Sequence, residues 1–144
     1  MLLIIEKVIV LKTVDIFNDI PDRTLADLAD LTTEVHLEAG EQLFAKGDFG
    51  DSLYIIISGG VRVHADGHTV NHLHERDIFG EMAILDPEPR AASITAVSDT
   101  HLLRLDQDAL YELIDLHTEV ARGIIRVLSR RMRGLIQDLN SIRN

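Results

Sequence analysis

The residues best suited to chemistry lie close together in the segment 79–94. Gly80 allows another molecule to approach the main chain, and a helical turn over residues 81–85 would direct free N–H groups at an anion. Arg90 presents planar donors to a phosphate, and a hydrogen bond to such a charged group contributes about 1.5–3 kcal/mol. Glu81 is left to accept hydrogen bonds from hydroxyl groups. This combination predicts a site for a small anion that carries hydroxyls.

The sequence around this segment predicts an antiparallel β-structure. Short apolar or alternating runs are separated by glycine turns, which is typical of closely spaced strands. The runs are 35–37, 42–44, 53–57, 61–65, 94–97 and 101–105. The Asp66-Gly67 pair predicts a type I′ hairpin, since both central residues of that turn need positive φ, and Val61 and Val63 would then face inward together. We therefore expect a jelly-roll-like antiparallel β-roll.

Helices are expected on both sides of the β-roll. Residues 1–11 form an apolar lead-in, and Pro21 can open a short second helix. Asp106 and Thr118 suit the N-cap positions of two C-terminal helices. On the last helix, apolar residues recur at spacings of three and four, at Ile125, Leu128, Met132, Leu135, Leu139 and Ile142. The expected fold class is α+β, mainly β, as a single domain with a helical lead-in at 1–31, a β-roll at 32–105, and C-terminal hinge and lid helices at 106–144.

Composition narrows the function classes. With 144 residues and 46% hydrophobic residues, the chain can bury the core of one globular domain. No cysteine is present, which excludes disulfides, thiolate metal sites and cysteine nucleophiles and favours the reducing cytoplasm. The apolar start is interrupted by Glu6 and Lys7 and is shorter than the roughly 20 residues of a membrane span, so we expect no membrane segment.

The net charge of −10 is unevenly distributed along the chain. After residue 117, six arginines and two acidic residues give a tail of +4, so the rest of the chain carries −14. An acidic body repels nucleic acids, and the arginine-rich tail is more typical of a solvated helix face. We therefore expect no direct binding of nucleic acid.

The segment 79–94 resembles the phosphate-binding cassette of cyclic-nucleotide-binding domains, a module that kinase regulatory subunits, catabolite activators and gated channels share. Similarity at Gly40-Glu41, residues 47–54, the Gly59 turn and residues 99–105 extends the resemblance over nearly the whole chain. The resemblance implies that the fold is the β-roll of that family. It also implies that the anion with hydroxyls is a cyclic nucleotide.

By this resemblance, Glu81 accepts from the ribose 2′-OH, and Arg90 pairs with the exocyclic oxygens of the cyclic phosphate. The main chain at Gly80, Ala83 and Ala91 would complete the cradle around the phosphate. The full set of expected ligand-binding residues is Gly80, Glu81, Met82, Ala83, Arg90, Ala91, Ala92, Val63, Arg131 and Leu135.

Departures from the family pattern bear on the details of the site. Arg76-Asp77 stands where the family usually has glycine before aspartate, so this turn must form without glycine. The long helix has Leu135 and Ile136 where catabolite activators read adenine with a hydroxyl pair. Its Arg131 matches an arginine that reaches toward the ligand in those proteins. The Arg131 side chain could therefore cover the ligand as part of a lid, or it could be solvated. Ala91, where cGMP-selective members tend to carry a hydroxyl, tilts the preference toward cAMP, although an apolar base pocket discriminates poorly between purines.

Other interpretations compete with a nucleotide site. Arg90 and Glu81 could form a surface ion pair, or the chain could keep the fold as a ligand-free scaffold or dimerisation module. A cupin-type metal enzyme is suggested by His72-Leu73-His74, but Ile78 and Phe79 stand where its glutamate is expected, so solvated histidines are favoured. No catalytic triad has motif support. We expect no catalysis, no metal and no cofactor.

The combined prediction is a regulatory sensor domain that binds a cyclic nucleotide, cAMP in preference to cGMP. Ligand closes the cassette, and the C-terminal helix docks as a lid through a hinge at residues 116–118. The apolar spacing on that helix also leads us to hypothesise a homodimer. The effector that the domain regulates is left open by the sequence.

Overall fold

The computed structural model describes residues 1–143, which form two compact units. One unit contains residue 1 and residues 30–111, and the other contains residues 2–29 together with residues 112–143. The helices are α1 (Ile4–Leu11), α2 (Asp22–Ala29), α3 (Glu81–Leu85), α4 (Gln107–Leu116) and α5 (Glu119–Arg143), with a 3-10 helix at Asp15–Phe17. Asn144, the last residue of the expected lid segment, lies outside the described residues.

The first unit is a set of antiparallel sheets. Its strands are β1 (Thr33–Leu37), β2 (Gln42–Phe44), β3 (Phe49–Gly50), β4 (Ser52–Ser58), β5 (Val61–Ala65), β6 (His68–Leu73), β7 (Ile78–Phe79), β8 (Glu88–Pro89), β9 (Ser93–Ala96) and β10 (Thr100–Asp106). They form sheets in the orders β1-β10-β4-β7, β2-β9-β5-β6 and β3-β8. This arrangement confirms the expected α+β class with an antiparallel β-roll.

The core of the β-roll draws side chains from both four-stranded sheets. Its buried members are Leu37, Tyr54, Ile56, Val61, Ile94, Ala96 and Leu102. Alternate residues of a strand face opposite sides, so Val61 is buried in this core and Val63, two positions along, also packs against it. The two valines therefore face inward together, as the hairpin register requires.

Two turns of the β-roll need positive φ. Asp66 and Gly67 have φ of 53° and 80°, and Ala65 pairs with His68 across them, so the two-residue hairpin forms as predicted. Arg76 has φ of 76° without being a glycine. Its N–H donates to the carbonyl of Ile56 at 2.8 Å, which helps to hold this unfavourable backbone conformation.

The six strands predicted from apolar runs are all present, with ends that differ by at most two residues. Strand β6 is not among the predicted runs, because its sequence His-Thr-Val-Asn-His-Leu is largely polar. The Asp66-Gly67 turn before β6 is the feature of the sequence that indicates a returning strand. The two-residue strands β3, β7 and β8 are too short to produce a period in the sequence.

The second unit is helical. It buries Leu11, Phe17, Leu25 and Leu28 on its N-terminal side, and α5 contributes Val120, Ile124 and Val127. Opposite charges join the 3-10 region to α5 in this unit, since Arg126 and Arg130 both lie 3.3 Å from Asp19 and Arg131 pairs with Asp15. The arginine-rich face of α5 is therefore partly used in intramolecular ion pairs.

The apolar residues of α5 lie on two faces, one exposed and one buried. Of the six residues with this spacing, Leu128 is half-buried and Ile125, Met132, Leu135, Leu139 and Ile142 are exposed, whereas Val120, Ile124 and Val127 are buried. We call the exposed set the α5 stripe. Among the described residues, no helix combines the length and the apolar character needed to cross a membrane.

Candidate ligand-binding site

A cavity of about 390 Å³ lies in the β-roll unit. This volume falls within the roughly 300–1,000 Å³ that is usual for small-molecule sites. Its walls come from the cassette helix α3, the segment after it, and the inner faces of β2, β5, β7 and β9. The lining residues are Phe44, Val63, Ile78, Phe79, Gly80, Glu81, Met82, Ala83, Glu88, Pro89, Arg90, Ala91, Ala92 and Ile94.

Helix α3 begins at a position that requires glycine. Gly80, its N-cap, has φ of 79° and ψ of 13°, and a Cβ there would lie 2.3 Å from the carbonyl oxygen of Ser52. Both the left-handed backbone and this close approach exclude other residues without a shift of the main chain. Ala83 and Ile84 are buried and anchor the helix, whereas Met82 is exposed. Glu81 is half-buried at the cavity wall.

Arg90 is held by its backbone on both sides. Its N–H donates to the carbonyl of Asp48 at 2.7 Å, and its carbonyl accepts from the N–H of Gly47 at 2.8 Å. The adjoining strands β8 and β3 pair Pro89 with Phe49. The residue that the sequence assigns to phosphate binding is therefore tied to the turn that contains Gly47-Asp48.

The side chain of Arg90 is fixed by contacts on several sides. Nη2 donates to the carbonyl of Ser52 at 3.0 Å, and the guanidinium carbon lies 4.3 Å from the centre of the Phe44 ring. A cation above an aromatic face is stabilised by about 0.5–2 kcal/mol, depending on its exposure to water. Arg90 is therefore positioned by the protein before any ligand arrives.

Gly50 makes room for this guanidinium. A Cβ at Gly50 would lie 2.1 Å from Nε of Arg90, and one at Gly80 would lie 3.0 Å from its Nη1. The two glycines thus border the arginine side chain from β3 and from the start of α3. The motif around Gly50 was noted in the sequence, but its contact with Arg90 could not be inferred there.

The electrostatic state of Arg90 indicates an anion site. Burial lowers the pKa of the Arg90 guanidinium from its usual value, and electrostatic interactions with Tyr54 and Asp51 offset part of that effect. Within residues 1–143, Arg90 forms no ion pair with a carboxylate, so the alternative of an Arg90–Glu81 surface ion pair is not observed. A half-buried cation without a carboxylate partner favours a bound anion.

The rest of the cavity wall is mostly apolar. Phe44 and Phe79 in the wall form an aromatic cluster with the buried Tyr54 behind them, with the Tyr54 and Phe79 rings stacked at 5.0 Å and the other ring centres about 6 Å apart. Burial also raises the pKa of the Tyr54 hydroxyl. Val63 and Ile94 are cross-strand partners on β5 and β9 and extend this wall. Such a surface suits the flat, largely apolar faces of a heterocyclic base.

The predicted site residues fall into two groups. All those in the segment 79–94, together with Val63, line the cavity. Arg131 and Leu135, on α5, are not among the described residues that line it. Arg131 is paired with Asp15, and Leu135 is 66% exposed. Their roles toward a ligand remain predictions.

Sequence reasoning missed Phe44, Ser52 and Gly50 as supports of Arg90. Phe44 pairs with Ile94 in the β2–β9 register, so a correct strand alignment would have placed it beside the cassette. His72 and His74, the basis of the cupin interpretation, are both exposed. Neither belongs to a group of potential metal ligands within the described part of the chain.

Helix α4 is attached to the cassette helix through polar contacts. Nε2 of Gln107 donates to the carbonyl of Ile84 at 3.1 Å, and the Tyr111 hydroxyl donates to the carbonyl of Leu85 at 3.3 Å. The backbone N–H of Gln107 also donates to the carbonyl of Asp51 at 2.9 Å. A movement of α3 would therefore change hydrogen bonds that hold the first turn of α4.

The sequence of this chain is similar to those of known proteins. A CRP-like cAMP-activated global transcriptional regulator of Mycobacterium tuberculosis is 35% identical over 129 residues, covering 86% of this chain and 58% of the relative. A cAMP-dependent protein kinase regulatory subunit of Dictyostelium discoideum is 35% identical over 144 residues, covering 94% of this chain and 40% of the relative. This chain thus spans less than two thirds of either relative.

The chain is also similar to a protein of known structure. The N-terminal domain of a transcriptional regulator from Streptomyces coelicolor A3(2) has a TM-score of 0.83 at 30% identity, covering 90% of this chain and 94% of that one. The family model for the cyclic nucleotide-binding domain matches residues 34–117, which is more than half of the chain and includes the whole cavity wall. This chain belongs to the cyclic nucleotide-binding domain family.

Proposed function

We propose that the chain is a non-catalytic sensor domain that binds cAMP in preference to cGMP and needs no metal or cofactor for this. The observation that carries the proposal is the half-buried Arg90, which is fixed between Phe44 and the Ser52 carbonyl and has no carboxylate partner among residues 1–143. The names of the mycobacterial and Dictyostelium relatives, which both mention cAMP, support the same ligand.

The ligand is proposed to enter with its cyclic phosphate toward Arg90. The exocyclic oxygens would accept from the guanidinium, and main-chain groups at Gly80, Ala83 and Ala91 would complete the cradle. Glu81 would accept from the ribose 2′-OH. Each hydrogen bond to a charged group contributes about 1.5–3 kcal/mol, so Glu81 and Arg90 supply most of the specificity for the sugar and phosphate.

The base would lie against the apolar wall that includes Val63 and Phe79. Ala91 offers no side-chain hydroxyl to the guanine amino group, which favours cAMP. A wall that selects by shape separates related ligands by only about 1–3 kcal/mol, so weaker binding of cGMP is expected.

Coupling to the C-terminal helix is proposed to run through α3 and α4. Ligand would fix α3, whose last carbonyls accept from Gln107 and Tyr111. Helix α4 ends at Leu116 and α5 begins at Glu119, so the proposed hinge at residues 116–118 lies where one helix gives way to the next. Ligand can shift this hinge only if it binds one arrangement more tightly than the other. Docking of α5 as a lid, with Arg131 and Leu135 near the ligand, is part of this proposal.

The chain is further proposed to form a homodimer through the α5 stripe. Several large apolar side chains at spacings of seven, three and four are exposed on one helix face, which is the pattern of a helix that pairs with a copy of itself. A cytoplasmic location is proposed because the chain has no cysteine and so suits a reducing compartment. The effector would be another segment or another protein, and direct nucleic-acid binding by these residues is not proposed.

Calorimetric titration with cAMP, cGMP and 5′-AMP tests the ligand. Arg90→Lys keeps the charge but removes the planar donors, so we expect cAMP affinity to fall about 10- to 150-fold. Arg62→Lys is the matched control, because Arg62 lies on β5 outside the cavity wall, and its affinity should equal that of the wild type. If neither cyclic nucleotide binds below about millimolar concentration, the ligand-free scaffold is correct instead.

A further inference from the structure

A second group of reactive side chains lies on β1 and β10, away from the nucleotide cavity. The potential ligand atoms of Glu34, His36 and His101 all lie within 4.8 Å of one another. His36 is the direct cross-strand partner of His101, and Glu34 is two residues from His36 on β1. Residues at these positions project from the same face of a sheet, so the backbone register itself brings the three side chains together.

The local geometry is compact. The two imidazole rings stack with centres 4.3 Å apart and planes at 13°. Nε2 of His101 lies 2.8 Å from Oε1 of Glu34, and these side chains are only 17% and 14% exposed. This close approach brings a nitrogen and a carboxylate oxygen, both common metal ligands, to one point beside His36.

The donor set matches the chemistry of divalent transition metals. Two imidazole nitrogens and one carboxylate oxygen are common ligands of Zn²⁺, with bonds of about 2.0–2.2 Å. Tetrahedral coordination at that length places ligand atoms about 3.3 Å apart, so side-chain shifts of roughly 1 Å would complete the site. Because the residues belong to paired strands, such shifts require no change in the strand register.

A route for an ion and a fourth ligand is also present. His36 is exposed, and both histidines line a groove of about 580 Å³ that also contains Glu38, Glu41 and Asp99. Acidic side chains around an entrance raise the local concentration of cations. This groove shares no lining residue with the cavity that contains Arg90.

We propose that Glu34, His36 and His101 form a binding site for a divalent transition metal of the zinc type. The ion would join β1, the edge strand of its sheet, to its neighbour β10. An ion that binds only the folded chain stabilises it by an amount that grows with the logarithm of one plus the ratio of its concentration to its Kd. The site is thus a metal-dependent clamp on the β-roll, independent of nucleotide binding.

The test is calorimetric titration of Zn²⁺ into the full chain after removal of metals with a chelator. We expect one site with a Kd below about 10 µM. His36→Gln should weaken binding at least about tenfold, because it removes one ligand at an exposed position. The matched control is His72→Gln, which removes an exposed histidine outside the cluster and should leave the site unchanged. Equal binding by His36→Gln and the wild type, or the absence of binding at 1 mM Zn²⁺ (about 4 kcal/mol of affinity), would overturn the proposal.

Thermal unfolding supplies a second readout. Zn²⁺ at about 100 times its Kd should raise the Tm of the wild type by about 5–10 °C. Glu34→Gln preserves the size of the side chain and should abolish this rise, whereas Arg90→Lys should keep it. Zinc binding that leaves the Tm unchanged would assign the ion to surface histidines and refute the clamp.

Discussion

Gly50 offers a way to disturb nucleotide binding without unfolding the chain. In the structure, a Cβ at this position would lie 2.1 Å from Nε and 2.4 Å from Cζ of Arg90. These atoms belong to the end of a flexible side chain, and Gly50 does not have the positive φ that alanine would resist. We therefore predict that Gly50→Ala displaces the guanidinium and leaves the backbone in place.

The expected loss of affinity follows from the contacts that Arg90 would give up. A misplaced guanidinium forfeits a charged hydrogen bond to the phosphate of about 1.5–3 kcal/mol, which corresponds to a 10- to 150-fold rise in the Kd for cAMP. Stability should change by less than about 1 kcal/mol, because the lost contacts with Phe44 and Ser52 are offset by the lower chain entropy of unfolded alanine.

A double-mutant cycle measures this coupling by calorimetry, with thermal unfolding as the check on folding. In an Arg90→Ala background there is no guanidinium to displace, so Gly50→Ala should cost little further affinity. Equal losses in both backgrounds would mean that Gly50 acts on the ligand by another route. Wild-type affinity of the single variant would refute the assignment of Arg90 to the phosphate.

Three other predictions concern stability and assembly. Arg76→Gly should stabilise the chain by about 0.5–1 kcal/mol in denaturant unfolding, because relief of positive φ exceeds the added entropy of unfolded glycine. The hydrogen bond from Arg126 is the largest cause that lowers the pKa of Asp19 from 3.8, so Asp19→Asn should be less stable than the wild type at neutral pH, and this difference should shrink as the pH falls through the lowered value. Met132→Glu with Leu139→Glu should convert a dimer to a monomer in light scattering.

Each of these predictions has a distinct contrary result. A less stable Arg76→Gly variant would show that the arginine side chain contributes more than its backbone strain costs. A stability difference at Asp19 that persists at low pH would exclude its charge as the cause. A wild-type chain that is monomeric at every concentration would remove the dimer proposal before any substitution is made.

The sequence predicted features that depend on neighbouring residues. The Asp66-Gly67 hairpin and the turn of helix at Glu81–Leu85 both arise from local backbone preferences, so they could be recognised directly. The cassette is recognisable in the sequence because its main polar groups lie within a short segment. A two-residue hairpin and a glycine N-cap leave the backbone few alternative conformations.

Features that depend on strand pairing could not be predicted in this way. Phe44 lies 46 positions before Arg90 and reaches it only through the β2–β9 register, and the polar strand β6 has no apolar period to mark it. His36 and His101 are 65 positions apart, and only the pairing of β1 with β10 places them side by side. The positive φ of Arg76 was equally hidden, since only the resemblance to the family indicated a glycine position there.

The fixed position of Arg90 affects how binding energy is distributed in the site. Its guanidinium is already ordered by Phe44 and Ser52, so ligand binding does not have to freeze a long side chain, which commonly costs about 0.5–1.5 kcal/mol. Preorganisation at the phosphate end makes that end a rigid anchor. A structural response to ligand must therefore arise in less rigid parts of the protein. We expect hydrogen exchange to change first at the hydrogen bonds that Gln107 and Tyr111 donate to α3.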